Sequence, residues 1–242
     1  STYTEPQNPL FSAVEVLDEA RIVGESNVGG LVGSLAKGDV RDATVSADVE
    51  STTTDITLGL GGAFGTVGST QTGGSVSVTD LAVQARVQGS DVVGGVVGQA
   101  YDGSSIPAFA RVQANVDVDA TGERVGGLAG YTQAVRFTDG RVSRSVSGNE
   151  DVGGVVGYAR PNATFRRILT TVDVTGQTNV GRIVGRVDGS SFEDVLVDEL
   201  RTRPVALHRV GGETREHVDF GNRSTDLPEH VGLLGHPLAK LL

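Results

Sequence analysis

The chain has 242 residues, 35 of them Gly, and sets 30 acidic against 20 basic side chains for a net charge of −10. It contains no Cys, Met or Trp, which excludes a disulfide framework, a thiolate zinc site and a Cys nucleophile. The acidic balance argues against nucleic acid as a partner, since a phosphate binder needs a basic face, and the apolar stretches fall far short of the ~20 residues of a membrane span.

Ser1–Leu10 is polar, contains Pro6 and Pro9, and is expected to form an extended arm. With no Met in the chain, Ser1 reads as a processed N-terminus or the start of a segment. From residue 11 a repeat takes over. Val14–Gly24 alternates small or apolar with polar residues, the period-two pattern of a half-buried strand. After a short polar turn comes the hexapeptide Val28-Gly29-Gly30-Leu31-Val32-Gly33.

The same hexapeptide returns five times, around Gly61, Gly62 and Gly65; Gly94, Gly95 and Gly98; Gly126, Gly127 and Gly130; Gly153, Gly154 and Gly157; and Gly181 and Gly185, where Arg182 replaces the second Gly. The lead glycines step by 32, 33, 32, 27 and 28 residues. Alternating runs precede most copies: Leu81–Gly89, Val112–Val118, Val142–Gly148 and Thr170–Gly176. Degenerate echoes follow at Val210-Gly211-Gly212 and Val231–Gly235.

Three glycines in six residues would each cost a helix about 1 kcal/mol, and a propeller blade needs a longer repeat of ~40 residues. Strand, turn and glycine hexapeptide therefore predict one coil of an all-β fold, a parallel β-solenoid. About seven to eight coils of 27–33 residues are expected, counting the half-coil at Val14–Gly24 and the two echoes; the solenoid is expected over residues 11–200, with degenerate last coils and a cap or tail over 201–242. Val32, Val97, Val156 and Val184 should stack as one inward ladder, beside Leu31, Val96, Leu128, Val155 and Ile183. The glycines are expected to allow close backbone packing or turns of positive φ.

The segments Asn27–Gly33, Asp151–Gly157 and Asn179–Gly185 resemble the GLUG motif, a glycine-rich repeat, and the likeness extends over residues 14–200. The resemblance implies a repeat architecture of the kind found in secreted and surface proteins, including haemagglutinin-like adhesins. It implies no catalytic activity, because the zinc-binding His-Glu-x-x-His of the peptidases that carry such repeats is absent.

Candidate chemistry is sparse. The glycine loops lack the Lys and helix of a phosphate cradle. Asp117 and Asp119 should share an outward face, near Asp173 of the next strand but one, where acids serve as general acid and base or hold calcium. A solvated acidic face is the simpler reading. His208, His217, His230 and His236 have no metal-ligand spacing, and Thr52–Thr54 do not recur as an ice-binding ladder would. Asn162 and Asn222 begin sequons, the acceptors of N-glycans on an exported chain.

Only Lys37 and Lys240 of the basic residues are Lys, and many acids beside small side chains suit high salt. These features lead to one expectation: a non-enzymatic, extracellular or cell-surface protein of a halophilic archaeon, without cofactor or metal. It self-associates into a filament, pilus-like fibre or surface array, or acts as an adhesin, through the solenoid ends and terminal segments. The alternative is a carbohydrate-active or carbohydrate-binding β-helix protein, tailspike- or lyase-like, with glycan contacts on the outward acids.

Overall fold

The computed structural model describes residues 8–52, 59–68, 75–102 and 105–198, all within the first of the chain's two units, Ser1–Val210. The echoes after residue 200, the expected C-terminal cap, the four His and Asn222 lie outside the described residues.

The described residues form strands and no helix, wound as a parallel β-solenoid. The first coil holds β1 (Leu10–Ser12), β2 (Glu15–Gly24), β3 (Val28–Gly29) and β4 (Val32–Leu35). The second holds β5 (Gly38–Ser51), β6 (Leu60–Gly61) and β7 (Phe64–Val67). The third holds β8 (Val76–Gly89), β9 (Val93–Gly94) and β10 (Val97–Tyr101). The fourth holds β11 (Ala108–Ala120), β12 (Glu123–Gly126) and β13 (Ala129–Gln133). The fifth holds β14 (Arg136–Ser147), β15 (Glu150–Gly153) and β16 (Val156–Ala159). The sixth holds β17 (Thr164–Thr175), β18 (Thr178–Gly181) and β19 (Val184–Val187), and β20 (Ser191–Val197) opens a seventh. Six complete coils thus stand where seven to eight were expected; the two echoes that raised the count fall beyond the described residues.

The long strands build an eight-stranded sheet, and the two short strands of each coil build two six-stranded sheets. Every pairing is parallel. Equivalent residues therefore stack: Val32, Phe64, Val97, Ala129, Val156 and Val184 form one column, which is the predicted inward ladder. At the neighbouring corner one carbonyl serves two amides. Leu128 O accepts from Val96 N at 3.1 Å and from Val97 N at 2.9 Å, and Val155 O does the same for Leu128 and Ala129.

The long strands are kinked. At one level of β5, β8, β11, β14, β17 and β20 a residue adopts left-handed backbone: Asp42, Asp80, Arg111, Asp139, Arg167 and Asp194, with φ between 51° and 57°; β14 has a second positive φ at Arg144, 87°. Each kink adds a residue to the alternation. Phe109 and Val112 flank Arg111 and both point inward, as do Phe137 and Gly140 around Asp139, and Phe165 and Ile168 around Arg167. All neighbouring strands kink at the same level, so the ladder is not broken as it is at an isolated bulge. The kink also explains why the strands begin upstream of the alternating runs read from the sequence, which start only after it.

Inside the long sheet a column of rings replaces the valines. Phe109 and Phe137 stack with centroids 4.5 Å apart, Phe137 and Phe165 at 5.5 Å, and Phe165 and Phe192 at 4.9 Å, all nearly parallel. Phe64 closes the column edge-on to Phe109 at 6.1 Å. Offset stacking of this kind adds about 0.5–1.5 kcal/mol per pair to the burial itself.

The motif glycines work by close approach. None of them has positive φ; among the described glycines that conformation belongs to Gly38, Gly68 and Gly189. A Cβ on the second glycine would overlap the carbonyl of its counterpart in the next coil, Gly95 against Gly127 and Gly127 against Gly154. A Cβ on the first would strike the carbonyl three residues on in the hexapeptide and the third glycine's amide in the next coil, as Gly94 does Val97 and Gly130. The two short sheets thus face each other backbone to backbone, with no room for side chains between them, far closer than the ~10 Å of ordinary sheet packing. Gly154 abuts the carbonyl of Arg182, but β18 and β19 are the last described rungs of their sheets.

Candidate functional site

A chain so filled with structural side chains leaves function to its outer faces. On the long sheet, alternation turns Asn115, Asp117 and Asp119 of β11 outward, above Ser143, Ser145 and Ser147 of β14. The predicted common face of Asp117 and Asp119 is present, and Asp173 lies two rungs along, beyond Ser145. Arg86, Asp117, Asp119, Ser145 and Ser147 border a shallow trough of about 400 Å³.

The acids there are already engaged. Asp117 accepts from Arg144 Nη1 at 2.8 Å and from Ser145 Oγ at 2.7 Å, and Asp119 accepts from Ser147 Oγ at 2.8 Å. Burial pushes the Asp117 carboxyl up, but the Ser145 and Arg144 hydrogen bonds and the charges of Arg144 and Arg86 outweigh it and leave it below the usual value. A general acid needs the opposite shift. Among the described residues no three His or acidic side chains gather as metal ligands.

The second face lies on the sheet of β4, β7, β10, β13, β16 and β19. Gln99, Tyr131, Tyr158 and Arg186 occupy one column on successive rungs. Tyr131 and Tyr158 meet edge to face with centroids 5.8 Å apart, and the Arg186 guanidinium lies 4.6 Å above the Tyr158 ring. Arg160 Nη1 donates to the Tyr131 hydroxyl at 3.4 Å, which itself donates to Gln133 Oε1 at 3.3 Å. Gln99, Tyr101, Asp102, Tyr131 and Gln133 border a hollow of about 230 Å³. Sequence reasoning passed over this face; its signal was Tyr131 and Tyr158, each directly after a third glycine of the repeat, with Tyr101 three residues past Gly98.

Asn162 lies on an exposed turn between β16 and β17, with φ 67°. The glycines Gly29, Gly30, Gly33, Gly61, Gly62 and Gly65 and their later counterparts all lie in the β-arcs of the two short sheets, as described above.

Stacked coils with a glycine interior define the class of protein: a β-solenoid of glycine-rich repeats. More particularly, the chain carries the GLUG motif, whose family model matches residues 24–50, from the end of β2 through most of β5. The chain is also similar to halomucin of Haloquadratum walsbyi (strain DSM 16790 / HBSQ001), with 32% identity over 183 residues. That stretch is 74% of this chain and 2% of halomucin, so the chain spans only a small fraction of its relative's length. No solved structure matches it.

Proposed function

We propose that this chain is a non-enzymatic module of the cell surface or extracellular space of a halophilic archaeon, a subunit of a filament, pilus-like fibre or adhesin. Similarity to halomucin supports the setting. One structural observation carries the assembly: large exposed apolar side chains concentrate in the terminal rungs of the solenoid. Among the described residues they are Leu10, Phe11, Leu17 and Val23 at the start and Val187 and Leu196 at the end, with Ile106 alone between. Parallel edge strands bearing apolar groups invite another chain, and head-to-tail contact of unlike ends is heterologous and builds open fibres.

Electron microscopy of purified protein over a range of salt and concentration tests this. Fibres or linear oligomers are expected, and shortened by Leu17→Asp or Leu196→Asp. Particles that stay monomeric in every condition overturn the assembly. Mass spectrometry of protein from its native host reads whether Asn162 and Asn222 carry glycans.

The lyase-like alternative draws on the outward acids alone. It expects new reducing ends from acidic polysaccharide, lost in Asp117→Asn; the low, ion-paired Asp117 carboxyl supports the non-enzymatic reading instead.

A further inference from the structure

We propose that the tyrosine column on the outer face of β10, β13, β16 and β19 binds an acidic polysaccharide, its sugars packing against Tyr131 and the exposed edge of Tyr158 and its carboxylates meeting Arg186 and Arg160. The site is separate from the Asp117 trough and rests on the reading of the chain as a surface module.

Four observations converge on it. The chain has four Tyr in 242 residues, and three, Tyr101, Tyr131 and Tyr158, meet on this face. A protein with so few aromatics has no folding need to place half-buried phenols on an outer sheet, whereas a ring with a polar tip is the side chain that takes the apolar face of a sugar. Second, the flanking amides Gln99 and Gln133 and the carboxylate of Asp102 supply donors and acceptors at the edge of the hollow, as hydroxyl-rich ligands require.

Third, the charge is right. On a chain of net charge −10, Arg160 and Arg186 contact tyrosines, and neither belongs to an ion pair among the described residues. Arg21, Arg41, Arg111, Arg124, Arg144, Arg166 and Arg167 are each paired with a carboxylate, while Arg86, Arg136, Arg141 and Arg182 also lie outside the ion pairs, so it is the tyrosine contacts that set Arg160 and Arg186 apart. Asp102 and Asp188 are the acids of this neighbourhood, and Asp188 adds its field to Arg160 without a direct bond. Fourth, the geometry suits a polymer. The hollow of about 230 Å³ is smaller than a pocket that engulfs a free ligand, commonly ~300–1,000 Å³, and it opens onto a column that continues up the stack. Successive rungs rise by ~4.8 Å, about the length of one pyranose unit, so a chain running up the stack advances by about one sugar per rung.

The test uses the chain's own phenols. With no Trp present, tyrosine emission reports chiefly on this face. The full chain is titrated with polygalacturonate, and with its methyl ester as the uncharged control, at low and at molar salt. A saturable change in tyrosine emission is expected with polygalacturonate. Tyr131→Ala and Tyr158→Ala should each weaken binding about tenfold, followed by calorimetry where the emission is lost. Arg186→Gln should cost roughly threefold to tenfold at low salt and less at molar salt. The ester should bind more weakly than the acid and be indifferent to Arg186→Gln. Asp117→Asn should bind as the parent does. No emission change with either polymer overturns the site, as does undiminished binding by folded Tyr131→Ala, or a loss confined to Asp117→Asn. An ester that binds as tightly as the acid overturns the charge selection. Fibres are scored by microscopy without polysaccharide, so a failure of assembly and a failure of this site are read apart.

Discussion

Arg111 of β11 grips Asp80 of β8 with one edge of its guanidinium, Nε to Oδ1 at 2.6 Å and Nη2 to Oδ2 at 2.7 Å. Both residues are the left-handed kinks of their strands. Two coils along, Arg167 takes Asp139 the same way, at 2.6 and 2.8 Å. The kink column therefore runs Asp42, Asp80, Arg111, Asp139, Arg167, Asp194, with each arginine between two acids.

That arrangement sets an acid limit to stability. The Arg111 hydrogen bond holds the Asp80 carboxyl below its ordinary value, and Arg167 does the same for Asp139. A carboxyl depressed in the folded state stabilises fully above its unfolded pKa of ~3.9, and that contribution is lost as the pH falls through the folded value. Denaturant midpoints should hold steady down to about pH 4 and then drop. The double variant Arg111→Ala/Arg167→Ala should fall less steeply on the acid side. Both pairs are partly exposed, so each single variant should cost no more than about 1 kcal/mol at neutral pH.

The glycine face predicts a sharp positional contrast. Gly95→Ala sets a methyl against the Gly127 carbonyl and the Val116 side chain, and neither neighbour can yield without parting two coils. A loss of about 2–4 kcal/mol is expected in urea melts. Arg182→Gly, at the same place in the sixth coil, should stay within about 1 kcal/mol of the parent.

Phe137 has stacked rings on both sides and is 1% exposed. Phe137→Ala should cost about 3–5 kcal/mol. Phe192→Ala, at the last ring of the column with one partner, should cost clearly less. Thermal or chemical melts of the two variants side by side read the difference.

Each coil packs chiefly on its neighbours, so protection should be graded along the stack. Hydrogen exchange should be slowest in β8, β11 and β14, and faster in β1, β2 and β20 at the ends of the long sheet. Uniform protection across all rungs would contradict this.

The sequence carried the coil plainly because VGGxxG repeats identity as well as spacing. The Phe109, Phe137, Phe165 and Phe192 column recurs at coil spacing too, yet four Phe in a Val-rich chain do not stand out until register is known. The kinks were hidden for a physical reason. Left-handed backbone favours Gly, Asn and Asp, while Arg111 and Arg167 are held there by the strands on either side and by their carboxylate partners. Alternation then changes phase at the kink, so the pattern showed only the downstream part of each long strand. The tyrosine face was illegible because its column reads Gln, Tyr, Tyr, Arg, four positions that share a place without sharing a type.

The glycine-on-glycine interior also bears on inheritance. Because each coil presents its neighbour with the same backbone surface, a gene of this kind can gain or lose a coil by duplication or deletion with no redesign inside. Spacings of 27 to 33 residues between lead glycines show how much the turns absorb. Position 182 is the exception: a copy of the sixth coil set into the middle of the stack fits the glycine face only once Gly is restored there.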